Sequence, residues 1–207
     1  MKRLVKHRLF WPVVALVSLI VVNTIARPQF ASIRVEDGRL FGALIDILRQ
    51  SAPLMLVSLG MTIVIATRGI DLSVGAVMAV SGAVALTIID GAADANSVGT
   101  VLVASVVAIL VSLLLGAWNG LLVSVVGIQP IIATLVLMLA GRGVALLITE
   151  GFITTVNSTP FEYLSTGYLV LLPFAFYVWV AAAAVVGLAE RRTALGVLTE
   201  AVGINPE

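Results

Sequence analysis

Few side chains in this sequence could do chemistry, so each can be weighed singly. In "ATRGIDLSVGAVMAV", Ala66 to Val80, Arg68 and Asp71 lie three residues apart in a run that carries no other charge from Ala52 to Ile89. As one helix that run would be about 57 Å long, roughly twice the hydrocarbon thickness of a bilayer, so it must break. The letters suit a break. Arg68 complements a helix C-terminus, Gly69 can take the left-handed cap, and Asp71 can accept N–H bonds at the start of the next helix. One reading is a capped turn between two spans. The other is a broken-helix element whose dipole ends face a solute path or a partner.

Arg142, in "LAGRGVALLITEG", is the only charge between Val98 and Thr149. An arginine at membrane depth is costly and usually points to a cavity or an acidic partner. It could line a path, or it could snorkel outward or pair with Glu150. Asn119, in "GAWNG", needs a hydrogen-bond partner inside a membrane, as packing glue or as a solute contact. The flanking Gly116 and Gly120 are spaced for close helix contact. Gln129 precedes Pro130, which breaks the helix ladder and makes "GIQP" a turn between spans. Trp11, Trp118 and Trp179 could form a sugar-stacking platform but fit better as membrane-belt or packing residues.

Other chemistries are ruled out by what is missing. With no cysteine and one histidine, His7, neither a zinc site nor a Ser-His-Asp triad can be assembled. No Walker loop occurs, so the chain does not bind a nucleotide by that motif, and no cofactor is called for. A net charge of +1 offers no basic face to nucleic acid.

The elements that must hold these residues are membrane helices. Of 207 residues 60% are hydrophobic and 11% charged, and mean hydropathy is +1.16. A soluble domain of this size could not hide that much apolar surface. The apolar runs lack the period of β-barrel strands, which predicts an all-α polytopic membrane protein. Six spans are expected, at about 8–26, 48–67, 72–90, 98–125, 130–149 and 168–189. The basic start and first apolar run also resemble a signal peptide, but an uncleaved first span fits better with five more behind it. Lys2, Arg3, Lys6 and Arg8 put the N-terminus in the cytoplasm, and Arg191 and Arg192 put the C-terminus beside it. The outer loops carry Asp90, Asp94, Glu150 and Glu162, while the arginines between Arg27 and Arg49 dissent. "RRTALGVLTEAVGINPE" then reads as a short cytoplasmic helix ended by Gly203, either a frayed tail or a docking element for a cytoplasmic partner.

Three stretches together resemble the permease subunits of bacterial ribose-type ABC sugar importers: "GMTIVIATRGIDLSVGAVMAVSGA" (Gly60–Ala83), "WNGLLVSVVGIQPIIATLVLMLAGRGVALLITEG" (Trp118–Gly151) and "RTALGVLTEAVGIN" (Arg192–Asn205). "DGRLFGALIDILRQSAPLMLVSLGMT" is similar to the galactofuranose importer permeases of enteric bacteria in particular. The resemblance implies a multi-pass subunit of the bacterial inner membrane that does no chemistry itself. It also implies three kinds of partner: a second permease subunit, cytoplasmic ATP-binding subunits and a periplasmic sugar-binding protein. The segment 190–207, with Glu200, Ala201 and Gly203, would be the coupling element that docks on the ATPase. Asp71, Asn119, Gln129 and Arg142 are the candidates for the path. Members of the family continue with further helices, so this chain is expected to be the N-terminal part of such a permease. The rivals are a secondary transporter with Asp71 as its ion or proton site, and a membrane scaffold that transports nothing.

Overall fold

The computed structural model describes residues 9–36 and 38–204. Lys2, Arg3, Lys6, His7 and Arg8, with the N-terminal orientation that rests on them, lie outside the described residues, as do 205–207. Eight α-helices occur among the described residues: α1 Phe10–Ala26, α2 Ala43–Ala66, α3 Val74–Asp90, α4 Val98–Ser124, α5 Pro130–Ile148, α6 Thr159–Thr166, α7 Phe174–Arg192 and α8 Ala194–Ile204. The described residues also form a short 3-10 helix, Pro28–Ala31, and two small antiparallel hairpins, β1 Arg34–Glu36 with β2 Arg39–Phe41, and β3 Tyr168–Leu169 with β4 Leu172–Pro173.

Four helices, α2, α4, α5 and α7, are long and apolar enough to cross a membrane. The apolar α1 and α3 have 17 residues each, about 26 Å of helix, just short of a hydrocarbon core. These six helices correspond to the six expected spans, and the chain is an all-α, multi-pass membrane protein. Large side chains such as Leu102, Leu113 and Leu114 stand exposed along α4. An apolar medium, not water, is the solvent such a face fits.

Two boundaries differ from expectation. α2 starts at Ala43 rather than near 48, because "ALIDILRQ" is already helical, with Asp46 and Arg49 paired one turn apart at 3.2 Å. α7 starts at Phe174 rather than 168. Tyr168 to Pro173 close a hairpin around Val170 at φ 59°, and the helix can begin only once that turn is complete.

Five of the spans, α2 to α5 and α7, form two groups. α3 packs against both α4 and α5, while α2 packs against α7 and α8. Small residues bring the first group close: Ala76, Ala83 and Ala85 are buried on α3. A Cβ on Gly141 of α5 would stand 3.0 Å from the Ala76 Cβ. Gly116 and Gly120 do not serve this way, since a Cβ on either would meet nothing within 4 Å. The core cluster of Ala85, Ile89, Val101 and Ala104 is capped by Val156 and Phe161.

The connections sort to two ends. At one end Leu40 N–H donates to the Leu171 carbonyl at 3.0 Å, and Ser158 Oγ donates to the Ala95 carbonyl at 2.6 Å. At the other lie the α2–α3 linker, the α4–α5 turn and α8. The spans therefore alternate in direction from α2 to α7.

Candidate functional site

The break at "RGID" is built by two backbone events. α2 stops at Ala66, and Arg68 takes the left-handed conformation at φ 59°. Gly69 N–H then bonds the Val64 carbonyl at 2.9 Å and Arg68 N–H the Ile65 carbonyl at 3.0 Å. This is the paired bonding of a Schellman cap, with the left-handed position one residue before the glycine expected there. The register follows from Ala66 being the last helical residue, which makes Arg68 the second position after it. Glu150, at φ 53°, repeats the arrangement after α5 in "TEG".

From Gly69 to Ser73 the chain has no regular structure, and it meets α4 at Asn119 and α5 at Thr134. Asp71 Oδ1 accepts from the Ser73 N–H at 2.7 Å and from Ser73 Oγ at 2.6 Å. Asn119 Nδ2 of α4 donates to the same Ser73 Oγ at 3.0 Å. Thr134 Oγ1 of α5, bonded to the Pro130 carbonyl at 2.8 Å, comes within 3.4 Å of the Ile70 carbonyl. Ser73 is 1% exposed, Asn119 7% and Thr134 5%. Asn119 stands five residues before the end of α4, about 7.5 Å inside the helix end, so the linker sits deeper than the α4–α5 turn.

The bond directions are forced. Ser73 has one hydroxyl proton, and Asp71 takes it, so the group facing Ser73 Oγ must be the NH₂ of Asn119. The Asn119 carbonyl oxygen is thereby left buried without a hydrogen-bond partner. Asp71 caps by an Asx turn onto Ser73, the residue before α3, rather than onto the N–H groups of the helix itself.

Of the four candidates named from sequence, the structure joins Asp71 and Asn119 through Ser73 and leaves the other two apart. Gln129 is exposed, and its backbone carbonyl accepts from Ile132 and Ala133 at the start of α5. The turn reading of "GIQP" agrees, with Gly127 at φ 78° and Pro130 as the first residue of α5. Arg142 is exposed on α5, one residue from the buried Gly141. Its expected pairing with Glu150 is absent: the one ion pair among the described residues is Arg49–Asp46. Ser73 and Thr134 were not legible as members of the site. The only signal was a serine just before an apolar helix, a position that favours capping residues.

In the segment expected to dock on an ATPase, Glu200 and Ala201 are exposed on α8. Gly203 does not end the helix, which runs on to Ile204, and a Cβ on it would collide with the Ala66 carbonyl oxygen. None of the candidates lines the largely apolar cavity of about 580 Å³ between α2, α6 and α7. A second cavity of about 450 Å³, with Asp90, Glu150 and four threonines in its wall, opens at the opposite end of the chain from Asp71.

Comparison with known proteins places the chain among membrane permeases. The chain is 46% identical over 97% of its length to the galactofuranose transporter permease protein of Escherichia coli. It is 39% identical over its whole length to the fructose import permease protein of Bifidobacterium longum. A shorter match, 36% identical over 42% of the chain, is to the ribose import permease protein of Haemophilus influenzae. The chain spans 58% of the length of each of the first two relatives. No solved structure matches it significantly. Residues 43–207 match the family described as branched-chain amino acid transport system / permease component, and the chain belongs to that family of membrane permeases.

Proposed function

We propose that this chain is a permease subunit of an ATP-driven importer of a monosaccharide of the galactofuranose, fructose or ribose kind. It contributes part of the translocation path and docks through α8 on a separate ATP-binding subunit. The observation that carries this reading is the 46% and 39% identity to two sugar permeases over essentially the whole chain. A second permease subunit, identical or different, completes the path, and a periplasmic sugar-binding protein delivers the solute. The end with α8 and the "RGID" linker faces the cytoplasm of the bacterial inner membrane, as Arg191 and Arg192 at the end of α7 favour.

Asp71 and Asn119 hold the linker at the cytoplasmic side of the path. Arg142 supplies a cationic donor on the exposed face of α5, and Gln129 lies at the adjoining turn. Glu200 and Ala201 meet the ATPase.

The test is uptake by the chain reconstituted in proteoliposomes with its ATP-binding and solute-binding partners. Sugar entry that requires ATP, with co-purification of the ATPase lost on Glu200→Arg, supports the reading. Uptake driven by a proton or ion gradient without ATP overturns it in favour of a secondary transporter. Competition by branched-chain amino acids instead of sugars, as the family description would suggest, moves the solute class.

A further inference from the structure

Gly203 was expected to contact a partner, yet its neighbours belong to its own chain. α8 carries two glycines seven residues apart, Gly196 and Gly203, and therefore on one face. A Cβ on Gly196 would collide with the Glu190 carbonyl oxygen of α7, and one on Gly203 with the Ala66 carbonyl oxygen of α2. Only glycine leaves the room for backbone to meet backbone at these points. One face of α8 is thus seated on the ends of two spans, while Leu198, Ala201 and Val202 on its far side are exposed.

Ala66 is the last residue of α2, and the next residues are the Schellman cap and the Gly69–Ser73 linker. The far end of that linker is tied to α4 by Asn119 and approached by Thr134 of α5. The segment Ala66–Ser73 is therefore touched by α8 at one end and by the other helix group at its opposite end. It is also one of the two places where the chain passes between the groups, the other being the stretch from α5 to α7.

We infer that Gly203 is a positioning residue: seated on the Ala66 carbonyl, it sets the end of α2, so a displacement of α8 is transmitted through Arg68–Ser73 to Asn119 and Thr134. This rests on the ATP-driven reading, in which a bound ATPase moves α8. The seat is backbone against backbone, with no flexible side chain between to absorb the movement. The short linker can respond by changing the register of the Asp71–Ser73–Asn119 bonds.

The chain has no cysteine, so Ile70→Cys supplies a single thiol at a position 47% exposed in the linker. Its rate of reaction with a maleimide is measured in the assembled transporter, with Thr155→Cys at the other end of the chain as control. Adding a non-hydrolysable ATP analogue should change the rate at Ile70→Cys about fivefold or more and leave Thr155→Cys unchanged. Gly203→Ala should abolish that response while the ATPase still co-purifies. A full response in Gly203→Ala overturns the inference, as does a formed complex in which Ile70→Cys never responds. If Gly203→Ala does not accumulate, the nucleotide response with Gly203 intact decides. Failure of the native complex to form is a different result, and it strikes the ATP-driven reading instead.

Discussion

Substitutions at Asn119 test the buried linker site most sharply, because the structure fixes what each of them must do. Asn119 donates one hydrogen bond to a serine whose only proton already goes to Asp71. Such a side-chain bond inside a membrane protein is worth about 0.6–1.5 kcal/mol. Asn119→Leu removes it but keeps the branched outline of the side chain and deletes the unpartnered carbonyl oxygen, so the two effects nearly offset and about 0–1 kcal/mol is lost. Asn119→Ala loses the same bond and also leaves a small void, costing about 1–3 kcal/mol. Asn119→Asp sets a second carboxylate against a hydroxyl that has no proton left to give, in a site that is 93% buried by the 7% exposure of Asn119. The uncompensated buried charge should cost about 3–5 kcal/mol. At about 2–4 °C per kcal/mol for a chain of this size, thermal unfolding in detergent should fall by roughly 6–20 °C for Asn119→Asp and by under about 4 °C for Asn119→Leu. The order Asp, Ala, Leu from worst to mildest is the prediction. If Asn119→Asp melts within about 1 °C of the parent, or Leu is worse than Asp, then the assigned bond directions are wrong.

Three further outcomes are expected. Arg68→Gly relieves a left-handed penalty of about 1–2 kcal/mol and adds about 0.5–1 kcal/mol of backbone entropy cost, so it should stabilise by up to about 1 kcal/mol in the same melts, whereas the β-branched Arg68→Val should destabilise. Gly141→Leu drives α5 off Ala76 and should cost about 3 kcal/mol, seen as loss of folded protein in membranes, while Leu at the uncrowded Gly116 should accumulate normally. Single cysteines at Asp94 or Thr155 should react with an impermeant maleimide from one side of the membrane and those at Gly127 or Glu200 from the other. Labelling of both pairs from the same side would refute the alternation of spans.

Much of the fold could be read along the chain. A bilayer leaves the backbone no partner but itself, so runs of apolar residues become helices, and their lengths set where they must end. That reasoning located the break at "RGID", the turn at "GIQP" and the helix after Arg192. It erred where one rule met another. The cap after α2 landed on Arg68 because the last helical residue, not the nearest glycine, sets the register. The α7 boundary moved because a hairpin was hidden in letters apolar enough to pass for helix.

What sequence alone determined is thus the membrane-helix class, the number of apolar spans and the places where they break, all set by local apolarity and backbone hydrogen-bonding demand. Tertiary structure decided which polar residues meet. Ser73 and Asn119 are 46 positions apart and Ile70 and Thr134 are 64 apart, and no local pattern links such pairs. It also decided which glycines matter: Gly116, Gly141 and Gly203 look alike in sequence, but only the last two have another helix against them. A glycine's role depends on what stands where its side chain would be, and that is a property of the packed chain.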